Sequence, residues 1–380
     1  MSEWREFKLG DVVQLNYGKG LPERIRKPGT VPVFSSAGLT GWHDVPLVNC
    51  EGIIVGRKGT IGTVYYINKP FFCIDTAYYI EPDKSKYDIK YLYYLLITMG
   101  LSELNEDSAV PGLNRDTAYS QDITLPPLPE QRAIAGVLSS FDNKIDLLHR
   151  QNKTLEGMAE ALWRKMFVDG MDAGWEILKL GDIANVQNGF AFKSSEYVSF
   201  AEGYLEVLKM GHIQPGGGLR TAPKTDFVPR EDRLTKYILS KGDIVMAMTD
   251  MKDNVVILGN PAMIDIDDKY VLNQRVARIY LKANDKLIDS HLLYVQLKDP
   301  EFIAILQSKA NSGVQVNLST ESIKDCDILI PPIDVQREKG ATIIKAYLKQ
   351  ENNNYQIRTL SRLRDTLLPK LMSGEVRVKM

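Results

Sequence analysis

Pro126-Pro127-Leu128-Pro129-Glu130-Gln131-Arg132 follows a short apolar run, Asp122-Ile123-Thr124-Leu125, and opens a long stretch with helical periodicity. The pattern recurs near the other end of the chain. There Asp327-Ile328-Leu329-Ile330 leads into Pro331-Pro332-Ile333-Asp334-Val335-Gln336-Arg337, 205 residues further on. A second echo lies upstream of each, Lys8-Leu9-Gly10-Asp11 and Lys179-Leu180-Gly181-Asp182, 171 residues apart. Ordered matches at both ends of a segment define a tandem duplication, whose unit is a globular module followed by a helix. Internal two-fold symmetry of this kind suits a partner that is itself two-fold or two-part.

The helix that begins near Glu130 carries apolar residues at Ile134, Leu138, Phe141, Ile145, Leu148, Leu155, Ala159, Leu162 and Met166, with Asn152 at the seam position left polar. Steps of three, four and seven give a period of about 3.5 residues, that of a coiled-coil seam. From 130 to 167 it would run roughly 55 Å. Pro129 suits its start and Gly170 its stop. The second copy has apolar ends and a polar middle around Gln350 and Asn353. Such a helix is not stable alone in water, so the two copies are expected to pair. An antiparallel register with paired numbers summing to 505 sets Asn152 against Asn353, Leu148 against Ile357 and Ile145 against Leu360. It also sets Leu138 against Leu367 and Ile134 against Leu371, while Leu155 and Leu162 extend the seam. Facing asparagines would fix register at some cost in stability. Lys339 and Arg364 fit only by reaching solvent or another chain. The alternative is two independent core helices, each within its own module.

At 380 residues the chain is long enough for two to three domains, with the composition of an ordinary globular protein. Met1-Ser2-Glu3-Trp4-Arg5-Glu6 is charged and lacks an apolar core, and no run is long enough to span a bilayer. A cytoplasmic protein with no membrane role is expected. Cys50, Cys73 and Cys326 are scattered and read as small buried hydrophobes in a reducing compartment. His43, His149, His212 and His291 have no ligand-like spacing, so no metal site is expected. The formal charge of −1 means that any nucleic-acid role must rest on local clusters or on help from another subunit.

Residues 1–125 and about 172–330 read as mixed and strand-rich, with runs such as Gly52-Ile53-Ile54-Val55 and Thr63-Val64-Tyr65-Tyr66-Ile67 between Gly and Pro turns. Each has a late helical patch, at 88–96 and at 288–295. Beyond the framework the modules diverge, which suits two readers of different targets. In the first, the loop Gly56-Arg57-Lys58-Gly59-Thr60-Ile61-Gly62 places Arg57, Lys58 and Thr60 where they could meet phosphates or a guanine edge. It also reads as an ordinary Gly-rich hairpin with solvated charges. Lys19, Arg24, Arg26 and Lys27 form a second basic cluster, or a solvated face. In the second module the equivalent loop begins at Gly242 and runs to Asn254; it is acidic, with Lys252 within it. Lys193 is a further basic candidate. Asn273-Gln274-Arg275 is a compact set of base-edge donors and acceptors, or a polar strand edge. Gln315 and Asn317 correspond loosely to Asn114 and Arg115; amides and guanidinium groups pair bidentately with purines.

No chemistry of its own is expected of the chain. The Asn/Asp/Ser-Pro-Pro-aromatic motif of an amino-methyltransferase is absent: Asn68-Lys69-Pro70-Phe71 is interrupted by Lys69, and Leu125-Pro126-Pro127 lacks a polar first residue. The acidic turn around Asp265, Asp267 and Asp268 does not assemble a nuclease site, and the Gly-rich loop has the wrong spacing for ATP.

The order of these parts, closed by Leu371-Met372-Ser373-Gly374-Glu375-Val376-Arg377-Val378, strongly resembles the specificity subunit of type I restriction-modification systems, over essentially the whole chain. The resemblance implies an α+β fold with two strand-rich target-recognition domains in tandem, 1–127 and 171–330. Two long antiparallel coiled-coil helices, 128–170 and 331–380, would separate them. It implies double-stranded DNA as ligand, each module reading half of a bipartite gapped site. Two DNA adenine methyltransferase subunits would dock on the helices, with restriction-translocase subunits beyond. S-adenosylmethionine, ATP and Mg would be used by those partners, leaving no cofactor in this chain. The specificity part of a type II enzyme that cuts outside its site, and a structural adaptor that binds no DNA, are the alternatives.

Overall fold

The computed structural model describes residues 4–104, 112–172, 174–251, 255–283, 286–312 and 315–378. They form two compact units: Met1–Leu147 with Ile357–Met380, and Leu148–Gln356. The units part inside both long helices, not at the strand-to-helix junctions near 127 and 330, because each core recruits a length of each helix.

In the first unit a four-stranded antiparallel sheet runs Asn16–Tyr17, Ala77–Ile80, Gly52–Gly56, Val64–Ile67. A three-stranded sheet runs Gly38–His43, Val31–Ser35, Phe72–Cys73, its first pair antiparallel and its second parallel. The second unit repeats this wiring. Its four-stranded sheet is Ala184–Asn188, Val276–Leu281, Ile244–Ala247, Pro261–Met263, and its three-stranded sheet Phe227–Val228, Leu205–Leu208, Tyr270–Leu272. The duplication therefore extends through both modules, including the parts whose sequences have drifted apart. The second unit adds a sheet of Thr249–Met251, Gln315–Asn317 and Asn311–Ser312.

The repeated motifs are explained by what they touch. Arg5–Lys8 pairs antiparallel with Asp122–Leu125, and Glu176–Lys179 with Asp327–Ile330, in the same register. Lys8 meets Asp122 at 2.7 Å and Lys179 meets Asp327 at 2.9 Å. One turn of helix follows, Leu9–Val12 or Leu180–Ile183, in which Asp11 or Asp182 accepts a hydrogen bond from the amide of Lys8 or Lys179 at 3.3 Å. The glycine between is forced by close packing. A Cβ on Gly10 would lie 2.8 Å from Cβ of Tyr119, and one on Gly181 3.0 Å from Cβ of Lys324.

The Pro-Pro-x-x-x-Gln motif is a clamp. Gln131 donates to the Pro126 carbonyl at 2.9 Å and accepts from the amide of Asp88 at 2.9 Å. Gln336 donates to the carbonyls of Pro331 and Lys286, both at 2.7 Å, and accepts from the amide of Ile288 at 3.1 Å. Each clamp ties the first turn of a long helix to the start of the module's own helix. Those module helices are Ile89–Thr98, capped by Asp88, and Ser290–Leu297, capped by Asp289. Both glutamines are buried.

The long helices are Leu128–Trp163, which passes into a π turn at Arg164–Val168, and Ile333–Met372. No helix among the described residues is long and apolar enough to cross a membrane. In the first unit Ile134, Ala135 and Leu138 share one core with Leu367, Leu371 and Met372, against Ile53, Val55 and Ile80 of the sheet. Ile145 and Leu360 are half-buried there. Arg364 does not need solvent or another chain, as its polar seam position suggested: Asp142 of the same unit receives it at 2.6 Å and also accepts from the Tyr94 hydroxyl at 2.5 Å. Glu130, almost fully buried, pairs with Arg377 at 2.5 Å, which gives the closing segment its place.

In the second unit Leu155, Ala159, Leu162, Trp163 and Phe167 pack in one core with Ile343, Ala346 and Tyr347. Leu148 is buried. Asn353 donates to Oδ1 of Asn152 at 2.9 Å, and Asn152 donates in turn to Asn354 at 2.7 Å. The polar centre of the second helix is thus a short amide ladder.

Nearby, His291 is buried between two carboxylates, Asp289 at 2.6 Å and Glu351 at 3.2 Å, and Glu351 also pairs with Lys241 at 2.9 Å. Burial opposes its charged form, yet the two carboxylates outweigh this and lift the imidazole to about 9. The folded value lies above the unfolded value of about 6.5. The stabilisation is therefore complete below about pH 6.5 and is lost as pH rises through about 9. Thermal melting from pH 6 to 10 should show a decline in that window worth roughly 2–4 kcal/mol, and His291→Gln should remove it; an unchanged slope in the variant would show that another group titrates. Gln131→Ala and Gln336→Ala should each cost about 1–3 kcal/mol in urea unfolding, since each strands buried backbone groups. Gln336→Ala should cost more, having three partners to the two of Gln131.

Candidate nucleic-acid interface

The two modules can be superposed residue by residue where the central strand of each four-stranded sheet ends. In the first, the amide of Arg57 donates to the Thr76 carbonyl at 3.0 Å, and the Arg57 carbonyl accepts from Leu113 at 2.8 Å. In the second, the amide of Met248 donates to the Arg275 carbonyl at 3.0 Å, and the Met248 carbonyl accepts from Leu318 at 2.8 Å. Arg57 and Met248 are thus equivalent, as are Thr76 and Arg275, and Leu113 and Leu318. One residue on, Asn114 caps the helix Arg115–Tyr119 and Ser319 caps Thr320–Lys324. The looser match of Gln315 and Asn317 to Asn114 and Arg115 gives way to Ser319 and Thr320. Gln315 and Asn317 lie instead on a strand opposite Met251 and Thr249.

Most of the candidates gather at this sheet end. In the first module it holds Arg57, Lys58, Asn114 and Arg115, with exposed Thr60 in the same loop. Lys58 is exposed and its amide also reaches the Thr76 carbonyl, at 3.0 Å. Asn114 spends its side-chain oxygen on the amide of Asp116, at 2.8 Å. Tyr17, which the sequence did not single out, is 46% exposed, and both guanidinium groups lie on its ring: Arg57 at 4.8 Å and Arg115 at 5.1 Å from the centroid. Its signal was only an aromatic beside Gly18-Lys19-Gly20. Among the described residues neither arginine has a carboxylate at ion-pair distance. Arg164, Arg230, Arg233, Arg278, Arg364 and Arg377 each have one.

In the second module Gln274 and Arg275 are exposed, as is Asn317. Asn273 is not available for reading: it is buried in the turn before Val276, where its oxygen accepts from the amide of Arg275 at 3.2 Å. The acidic character of the equivalent loop is structural as well. The carboxylate of Asp250 accepts from the amides of Met251, Val256, Ile257 and Leu258 at 2.6–3.2 Å. Burial disfavours its charge, but these amides prevail and hold the carboxyl below its ordinary range. Lys252 lies outside the described residues, as does the side chain of Gln315.

Lys19, Arg24, Arg26, Lys27 and Lys193 are not part of this constellation. Arg26 braces the loop before strand Val31–Ser35, donating to the carbonyls of Thr40 at 2.8 Å and Leu21 at 3.3 Å. Lys19, Arg24, Lys27 and Lys193 are exposed on loops and a short 3-10 turn. Two guanidinium groups on an aromatic ring, with an exposed ammonium in the same loop, can grip oxygen acceptors. Among the described residues at this sheet end no proton-transfer pair or nucleophile accompanies them.

Comparison with known proteins gives a consistent picture. The family model described as the type I restriction modification DNA specificity domain matches residues 1–157 and again 172–360. Each match takes in a module and the first part, or more, of the helix that follows. The specificity subunit of the type I restriction enzyme MjaVIII of Methanocaldococcus jannaschii is 26% identical over 99% of this chain and 94% of its own. That of the HindI enzyme of Haemophilus influenzae is 21% identical over 99% of this chain and 100% of its own. The crystal structure of a type I restriction-modification S subunit from M. genitalium has the same fold, with a TM-score of 0.62 and 20% identity over 100% of this chain and 97% of that one.

The division between framework and surface residues is measurable. Asn273→Ala should lower unfolding free energy by about 1–3 kcal/mol, whereas Arg275→Ala, two residues on, should stay within about 0.5 kcal/mol of wild type. Equal losses in urea denaturation would place both in the framework.

Proposed function

The chain belongs to the type I restriction-modification DNA specificity family, and we propose that it reads DNA for a methyltransferase and restriction complex while performing no chemistry itself. Modules 1–127 and 171–330 each read one half of a split site, and the helical segments 128–170 and 331–380 set the spacing. Two adenine methyltransferase subunits dock on those segments, and restriction-translocase subunits complete the assembly. S-adenosylmethionine, ATP and Mg serve the partner subunits. One observation carries this reading: a single scaffold occurs twice, with different side chains at the matched sheet end. Two heads of one design with different faces suit two different half-sites.

The near-neutral charge accords with this division of labour. Non-specific grip on the phosphate backbone scales with the number of cations engaged. Here the cations are balanced by as many carboxylates, so partner subunits supply much of the grip. Arg57, Lys58 and Arg115 in the first module, and Gln274, Arg275 and Asn317 in the second, are the side chains suited to acceptor edges and adenine edges in the major groove. Lys193 and the exposed lysines and arginine of the 19–27 loop suit backbone contacts.

Reconstitution with the cognate methyltransferase subunits should give adenine methylation of plasmid DNA that depends on this chain. Arg57→Ala should lower the methylation rate roughly tenfold while co-elution with the methyltransferase is unchanged. Methylation that proceeds equally well without this chain would defeat the proposal.

A further inference from the structure

The sheet register identifies what each module places at one point of a common scaffold. Tyr17 stands opposite Tyr78, and Val55 stands opposite Tyr78 from the other side. In the second module Asn188 and Met246 flank Ala277 in the same way. Tyr17 is therefore equivalent to Asn188, and Arg57, two residues beyond Val55, to Met248. Arg115 and Thr320 each open the short helix that follows the matched cap. The trio Tyr17, Arg57 and Arg115 thus becomes Asn188, Met248 and Thr320. No fold requirement common to both modules demands the aromatic or either guanidinium group.

The trio has an electrostatic oddity. Two cations share the ring of Tyr17, and neither has a carboxylate among the described residues. A guanidinium on an aromatic face gains only modestly at an exposed site, and a second cation nearby repels it. In the second module the comparable stack, Arg233 on Phe190 at 5.0 Å, is neutralised by Glu196 at 2.7 Å and Glu231 at 2.5 Å. Arg57 is held further by the ring of Tyr78 at 5.7 Å and by the Asp75 carbonyl, which accepts from it at 3.2 Å. Both planar forks are thus fixed in place with charge left over, which is the preparation that a paired acceptor edge rewards.

Resting on the DNA-reading function proposed above, we propose that Tyr17 is the positioning residue of the first reading head, holding Arg57 and Arg115 for a guanine edge in the half-site that this head reads. The ring contributes by orienting the two forks. N7 and O6 of guanine supply the paired acceptors that a guanidinium group meets bidentately. The second head, with Asn188, Met248 and Thr320 in these places, reads its half-site by other groups.

The test uses the chain reconstituted with its methyltransferase subunits and a plasmid library carrying randomised inserts, with methylated adenines located by sequencing. Wild type should return a two-part motif. Tyr17→Ala should relax one guanine-containing position of a single half by roughly tenfold and leave the other half unchanged. Tyr17→Phe, which keeps the ring, should restore the wild-type motif. A merely structural role would lower methylation at every site with the motif intact, and that result overturns the inference. So does a uniform loss with a shallower salt dependence, which would assign the arginines to phosphates. Equal damage by Tyr17→Phe would make the hydroxyl itself the reader and also overturn it. Absence of any motif with wild-type chain would instead sink the DNA-reading function.

Discussion

Neither module can close its core with its own residues. In the first unit the sheet residues Ile53, Val55 and Ile80 and the module helix residues Tyr91, Leu92 and Leu96 are covered by Ile134 and Leu138 from one long helix and Leu371 and Met372 from the other. In the second, Ile244, Met246 and Leu293 are covered by Ala159, Trp163 and Phe167 and by Ile343, Ala346 and Tyr347. Burial of apolar surface is the main favourable term in folding, so a length of both helices is obligatory in each unit. The helix pairing follows from this constraint as much as from the seam. Buried Asn152 and Asn353 then set the register, because a one-residue slip would leave an amide facing carbon.

Given two helices that must cover a core, their entry into it has to be fixed, and the buried glutamine at each junction does so. It bonds the proline carbonyl that the helix start leaves open and an amide near the cap of the module helix. A side chain with both a donor and an acceptor end is required, which explains why Gln is written into both copies of the motif. The other fixed residues have similar local reasons. Gly10 and Gly181 leave room for a crossing side chain, and Asp11 and Asp182 accept the amide before a single helical turn. Positions without such a duty are free to diverge, and the matched sheet end holds several of them.

Much of this was legible in the sequence because periodicity and repetition are local signals. The seam, its polar layer, the helical patches at 88–96 and 288–295, and the two-module order all come from spacing within a few turns or from comparing the chain with itself. What escaped was decided by tertiary partners. Asn273 resembled a base-reading amide, yet its turn buries it; Arg26 resembled a phosphate contact, yet two carbonyls receive it. Asp250 made its loop look unsuited to a common role, although it serves only to gather four amides. Tyr17 was passed over because an aromatic residue carries no sign of which cations will settle on it. The matching of Gln315 and Asn317 to Asn114 and Arg115 failed because the second module inserts a strand at that point.

The two units differ in how they are laid out along the polypeptide. Leu148–Gln356 is one unbroken stretch, whereas the other unit joins Met1–Leu147 to Ile357–Met380. On the ribosome, the second unit has all its residues in hand as soon as Gln356 has cleared the exit tunnel. The first unit, although translated earlier, must wait with an uncovered apolar face until Leu371 and Met372 arrive and Arg377 reaches Glu130. The half made first is the half finished last, and a truncation of some twenty carboxy-terminal residues would therefore injure the amino-terminal module before the one beside it.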